Sequence, residues 1–245
     1  MGVERVKAVV GSTPHMSLAQ ANRMVAFMRD HEIRDVLELG FQNGVSTCYM
    51  AEQVNETGSG SVTTVDRVYA RDENPNIEVL LSKLGLRHLV DVVYEPTSYT
   101  WWLMNQLDAG RPPSFDLCYI DGAHTWDVDG LAFFLVDRLL RPGGWIIFDD
   151  LNWTLEGSNC LQTSEWMHSL PEAERSTAQV RKIWDLLVLP HPGYGEFSTD
   201  GAWAFARKLP GPREQHTRVV VERVVVHEPV STVAKLTAKA RRLRR

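Results

Sequence analysis

The chain is predicted to be an α/β protein built on an open, mostly parallel sheet with helices on both faces. Three observations predict it. From residue 35 onward, short apolar runs alternate with segments of helical periodicity, the pattern of a parallel sheet whose crossovers are helices. The runs end abruptly, "DVLELG" in glycine and "SVTTVD", "LVDVVYE", "FDLCYID" and "RPGGWIIFDD" in acid. The length of 245 residues, 44% of them hydrophobic, suffices for one well-packed domain of this class.

Each element has a local reason. Ser17 with Gln20 forms a capping box ahead of a helix over 18–30, apolar at Leu18, Ala21, Met24, Val25 and Met28. "DVLELG" (35–40) is a buried first strand, and a helix follows over 45–54. "SVTTVD" (61–66) is the second strand, "NIEVLLSKLG" (76–85) a helix stopped by Gly85, and "LVDVVYE" (89–95) the third strand. A helix over 98–108 carries Trp101 and Trp102. "FDLCYID" (115–121) is the fourth strand, "DVDGLAFFLVDRLL" the helix after it, and "RPGGWIIFDD" a turn with the fifth strand. Residues 163–184 read as helix broken at Pro171, followed by a closing strand pair at 184–190 and 201–208. That makes about seven strands. "TRVVVERVVVHE" (217–228) also reads as strand, outside the expected core.

Bulk composition narrows the function. No run reaches the roughly 18–20 apolar residues of a membrane span, and "MGVERVKAVVG" lacks the apolar centre of a signal peptide. Cys48, Cys118 and Cys160 show no CxxC spacing and read as reduced thiols, so a cytoplasmic location is expected. Net charge is −5, yet the last fifteen residues carry six Lys and Arg with no acid, so the body is more acidic than the whole. An acidic body argues against a DNA- or RNA-binding face on the main domain. The tail reads either as a solvated helix end or as a contact for an acidic partner, an anionic membrane or RNA.

Ligands of open α/β sheets sit outside the carboxyl ends of the strands. Here those ends hold Glu38 and Gly40, then Asp66, Glu95, Asp121, and the pair Asp149–Asp150. One acid beyond a strand is commonly a helix N-cap; a run of such strands points to a site. In "LELGFQNGVST", Gly40 permits a sharp exit from the strand, Gly44 permits close approach of a ligand, and Ser46 caps or hydrogen-bonds. The spacing is not GxGxxG, and Glu38 is poor company for a pyrophosphate. A cofactor with a cationic centre, an amino-acid moiety and a ribose suits it better, with Asp66 placed to accept from both ribose hydroxyls.

Residues 16–208 resemble the class I S-adenosylmethionine-dependent methyltransferases. Within that class they are similar to the divalent-metal-dependent small-molecule O-methyltransferases of catechol, caffeoyl-CoA and macrocin type. The resemblance rests on "MSLAQANRMV", "LELGFQNGVST", "TVD", "YIDGAHTW", "LLRPGGWIIFDD" and "DGAWAFARK". It implies a Rossmann-like, seven-stranded, mostly parallel sheet with an antiparallel terminal strand. It also implies a methyltransferase domain over 1–210 and a C-terminal extension over 211–245.

The resemblance further implies S-adenosylmethionine as cofactor, at Met16, Glu38, Gly40, Gly44, Ser46, Asp66, Glu95 and Asp121. It implies Mg²⁺ or another divalent cation at Asp121, Asp149 and Asp150, hard oxygen ligands of the kind Mg²⁺ takes; capping of helices is the alternative for these acids. His124 stands where the catechol-type enzymes carry a lysine base, and Ala123 where the macrocin type has an acid. His124 is thus a candidate general base, with metal ligation or a hydrogen bond to the acceptor as other roles. Trp126 and Trp153 adjoin the acids and are expected to line the pocket of a small-molecule acceptor; His191 or Tyr194 in "PHPGYGEF" can face it too. A homodimer is compatible with this reading. Methyl transfer to nitrogen and a non-catalytic cofactor-binding or scaffolding protein are the competing functions.

Overall fold

The computed structural model describes residues 2–211; the strand expected at 217–228 and the basic tail lie outside the described residues. Seven strands form one sheet in the order β3-β2-β1-β4-β5-β7-β6. They are β1 (Asp35–Leu39), β2 (Ser61–Arg67), β3 (Val90–Glu95), β4 (Phe115–Ile120), β5 (Leu140–Phe148), β6 (Tyr194–Asp200) and β7 (Trp203–Lys208). The first five run parallel, and β7 enters antiparallel between β5 and β6. The sheet is the predicted one, with its antiparallel closing strand.

Helices α1 (Gly2–Val10) and α2 (Leu18–Asp30) precede β1, and between the strands come α3 (Val45–Thr57), α4 (Ile77–Leu84), α5 (Tyr99–Asp108) and α6 (Trp126–Leu139). Strand residues alternate between two cores, as the two-residue pleat requires. Val36, Leu117, Tyr119 and Ile147 pack with α1 to α4, while Leu37, Leu39, Cys118, Ile120 and Phe148 pack with α5 and α6. α2 has the predicted bounds and the capping box of Ser17 with Gln20, and it buries Ala21, Met24, Val25 and Met28. At the amino ends of β1 and β4, Arg141 holds Asp35 at 3.0 Å and Asp116 at 2.6 Å. That clamp keeps these strands in step, so their carboxyl ends finish together.

Three elements depart from the sequence reading. α1 is an additional helix, seated by buried Val6 and Val10 and by Arg5 on Glu52 at 2.5 Å. Residues 184–190 are not a strand. α7 (Glu165–Ser169), α8 (Glu172–Ser176) and α9 (Gln179–Ile183) precede a wider π-type turn over Trp184–Val188 that continues the helix. Val180, Ile183, Trp184 and Val188 are all buried, a helical spacing that outweighs the local β-branched and aromatic content. Residues 190–197 are only partly loop, because β6 begins at Tyr194 and supplies the partner for β7.

Candidate active site

A cavity of about 930 Å³ lies over the carboxyl ends of the strands, at the switch where the chain leaves β1 for β2 on one side and β4 lies on the other. Gly40, Asp66, Asp121 and Asp149 line it from the strand ends. Met16 lines it from the segment before α2, and Ser46, His124, Asp150 and Trp153 complete the set of sequence-predicted residues on its wall. Glu38, Gly44, Glu95 and Trp126 are not on that wall.

Gly40 has φ +91°, and a Cβ there would fall 2.2 Å from the Asp121 carbonyl oxygen. The turn out of β1 therefore passes against the turn out of β4, and only glycine fits. Gly44 also has positive φ, +84°, but its Cβ would strike Ile77 of α4 at 2.4 Å rather than enter the cavity. Its role is helix packing, not the ligand approach expected for it.

Glu38 is fully buried beneath the cavity floor. It accepts hydrogen bonds from Ser46 and Thr47 at 2.5 Å each and from Thr64 at 2.6 Å. Burial pushes its carboxyl up to about 7, against the pull of those three hydroxyls. Glu38 thus staples β1, β2 and α3 together behind the site instead of facing a ligand. Asp66 does face the cavity. Its Oδ2 accepts from the backbone N–H of Phe41 at 2.8 Å and of Gln42 at 2.7 Å, which fixes the glycine turn to β2. Glu95 closes β3 away from the cavity, whose wall there is Thr97, Ser98 and Tyr99.

The acids of β4 and β5 converge. Asp121, His124 and Asp150 each offer one donor atom, all within 4.8 Å of one another. His124 Nε2 lies 3.8 Å from Asp121 Oδ1 and 3.6 Å from Asp150 Oδ2. Burial, then the neighbouring Asp149 and Asp150, push the Asp121 carboxyl well above the carboxylate range. Burial and Asp149 raise Asp150 to about 6. Burial lowers the His124 imidazole, so it is neutral at neutral pH. Two crowded carboxylates and a neutral imidazole form a donor set suited to a divalent cation, which would relieve the repulsion. His124 and Asp150 both hold positive φ, +55° and +54°, an uncommon backbone for these residues and one that clusters at functional sites.

Asp149 stands differently from the sequence expectation. Although it lines the cavity, it is not among the three converging groups: Oδ1 accepts from the Asp150 N–H at 2.6 Å and Oδ2 from the Tyr119 hydroxyl. Tyr119 also reaches Asp121 at 3.3 Å, tying the two strand tips together. The sequence reading overlooked Tyr119, although its position two residues before Asp121 puts both on one face of β4. It also overlooked Tyr99 and His15, which line the cavity from distant segments.

Trp153 lines the cavity with its ring 5.0 Å from the His124 ring. Trp126 instead lines a neighbouring hollow of about 520 Å³ with Trp166 and Leu170. His191 and Tyr194 do not face the cavity; both pack against Phe133 of α6. Among the described residues, no helix is long and apolar enough to cross a membrane.

A family model described as "Methyltransferase domain" matches residues 37–151. A search of curated proteins finds no match. Among solved structures, the fold is similar to the O-methyltransferase from Bacillus cereus in complex with SAH, at 20% identity and TM-score 0.61, covering 84% of this chain and 90% of that one. It is similar to the O-methyltransferase TomG from Streptomyces achromogenes, involved in tomaymycin synthesis and in complex with SAM, at 17% identity and TM-score 0.61, covering 85% and 89%. A more distant likeness is to the MycE methyltransferase of the mycinamycin biosynthetic pathway, in complex with Mg, SAH and mycinamycin VI, at 14% identity and TM-score 0.54, covering 85% of this chain and 55% of that one. Residues 37–151, running from within β1 to just beyond the acids that follow β5, thus match a methyltransferase domain, set in a sheet with the fold of these O-methyltransferases.

Proposed function

We propose that the chain methylates a hydroxyl of a small molecule and needs a divalent cation to do so. The observation that carries this reading is the convergence of Asp121, Asp150 and His124 in the switch-point cavity. MycE, in complex with Mg and mycinamycin VI, supplies an analogy for both the metal and a small-molecule acceptor. Asp121 and Asp150 would hold the cation, with Asp149 beside them kept in place by Tyr119. When bound, the cation supplies Lewis-acid stabilisation of negative charge on the acceptor oxygen. The other contributions come from the chain. Asp66 is the acid placed for the ribose hydroxyls of the cofactor. Neutral His124 takes the acceptor proton on Nε2, and Trp153 lies against that imidazole as a wall of the acceptor pocket. The cavity aligns oxygen, methyl carbon and sulfur for in-line displacement.

The test is methyl transfer from labelled S-adenosylmethionine into a metabolite extract, followed by mass spectrometry. Chelator is expected to abolish transfer and Mg²⁺ to restore it, with SAH binding unchanged by either. His124→Ala is expected to lose on the order of 10²-fold in turnover. It should keep Mn²⁺ affinity; a matching loss of Mn²⁺ would make His124 a ligand rather than the base. Full turnover in chelator overturns the metal reading, and transfer only to nitrogen overturns the hydroxyl acceptor.

A further inference from the structure

The mechanism above leaves the buried carboxylate of Asp129 unused. Asp129 is 1% exposed, on the first turn of α6, and its Oδ1 accepts the hydroxyl proton of Tyr99 from α5. Tyr99 is itself buried, and its oxygen lies 3.1 Å from the backbone nitrogen of Ala123, in the loop that joins Asp121 to α6. The direction of this chain is forced. An amide N–H can only donate, so the tyrosine oxygen accepts there, and its single proton goes to Asp129. Gly122 closes the arrangement sterically, since a Cβ there would fall 2.5 Å from the Tyr99 ring.

The loop so held is short and strained. It carries Asp121 at one end and His124 at φ +55°, and its last residue, Thr125, is the N-cap of α6 without a side-chain cap hydrogen bond. Histidine tolerates the left-handed backbone better than most residues, but the conformation still costs free energy that contacts outside the loop must offset.

We infer that Tyr99 and Asp129 are positioning residues that hold the 121–125 loop in the conformation presenting both Asp121 and His124 towards Asp150. Resting on the metal reading above for its second readout, the inference extends it to a buried pair outside the cluster of Asp121, His124 and Asp150. The carboxylate polarises the tyrosine hydroxyl, whose oxygen becomes the better acceptor for the loop amide. The pair thus works as an outer support of the kind that orients metal-site ligands.

Two measurements test it. Hydrogen exchange in the metal-free protein reads the loop directly, and Mn²⁺ titration by electron paramagnetic resonance reads the cluster. Tyr99→Phe is expected to speed exchange at the Ala123 amide and to weaken Mn²⁺ roughly 10-fold or more. Asp129→Asn keeps an oxygen that accepts the tyrosine proton, and it should recover both within about threefold. The decisive variant is Tyr99→Phe/Asp129→Leu. Removing both partners leaves no buried charge unpaired, so thermal stability should largely return while loop protection and Mn²⁺ affinity stay low. A pair that served stability alone would give back all three together, and that result overturns the inference, as does Tyr99→Phe with unchanged Ala123 exchange. Absence of Mn²⁺ binding by the wild-type protein would overturn the metal reading instead, with the exchange arm still deciding the role of the pair.

Discussion

Glu38 places a carboxyl where no water reaches, with three hydroxyls aimed at it from α3 and β2. Its native value of about 7 lies above the 4.5 of an unperturbed glutamate. The native state therefore holds a proton that the unfolded chain releases throughout that interval. The stabilisation is complete below about pH 4.5, is lost as pH rises towards 7, and the curve flattens above it. Over that window the change is roughly 3 kcal/mol, since each tenfold difference in proton affinity between the two states is worth about 1.4 kcal/mol. Urea denaturation of wild type and Glu38→Gln from pH 5 to pH 8 measures it. The variant is expected to show a slope shallower by about one proton; parallel curves would mean that Glu38 ionises normally in the native state. The same reasoning separates Glu38 from Asp121 and Asp150. All three are raised first by burial, yet only the latter two also crowd other carboxylates at the cavity wall, where a cation can answer them.

At the scale of elements, the turn between β1 and α3 joins two separate constraints. Gly40 is required by the Asp121 backbone, and Gly44 by the Ile77 side chain of α4 together with its own φ of +84°. Gly44→Ala is expected to destabilise the fold by roughly 2–4 kcal/mol, combining a left-handed alanine with overpacking against Ile77. Thermal denaturation of Gly44→Ala, Ile77→Ala and the double variant checks the attribution. The double variant should lose clearly less than the sum of the singles, because the packing part disappears with the isoleucine. Strict additivity would assign the whole effect to the backbone. α9 shows the opposite relation between local and tertiary preference. "WDLLV" has strand-like content, but burial of Val180, Ile183, Trp184 and Val188 on one side continues it as a helical turn.

For the molecule as a whole, the site exists because five parallel strands finish together at one edge. The Arg141 clamp at the opposite end and the Tyr119 bridge at the near end both act on the strands that carry the acids. A ligand spanning those ends binds the native chain and not the unfolded one, so SAH should stabilise the entire domain by mass action. At about 100 times its dissociation constant the gain is about 2.7 kcal/mol. Calorimetric unfolding with and without SAH measures it, and chelator should leave the gain intact if the cofactor and the cation occupy separate parts of the cavity. Asp66→Ala should reduce it, through loss of the ribose acceptor and of the two amide hydrogen bonds that hold the glycine turn.

Alternation of apolar and helical segments, glycine at the first turn and acids beyond the strands were enough to read the sheet, its parallel core and the edge that carries the cavity. Those features are local, repeating every two or every 3.6 residues, and the sequence displays them directly. The grouping within the site was not local. That Asp121 and Asp150 meet His124 while Asp149 turns to Tyr119 depends on the β4–β5 register and on two left-handed residues, neither encoded in a spacing. Glu38 and Gly44 were legible as necessary but not as buried, because their partners Thr64 and Ile77 lie 26 and 33 residues away. The sequence by itself determined which chemistry arrives at the strand ends. Only the tertiary structure decided which of those groups face one another, since a carboxylate's role depends on whether its neighbour is a hydroxyl, an amide or a second negative charge.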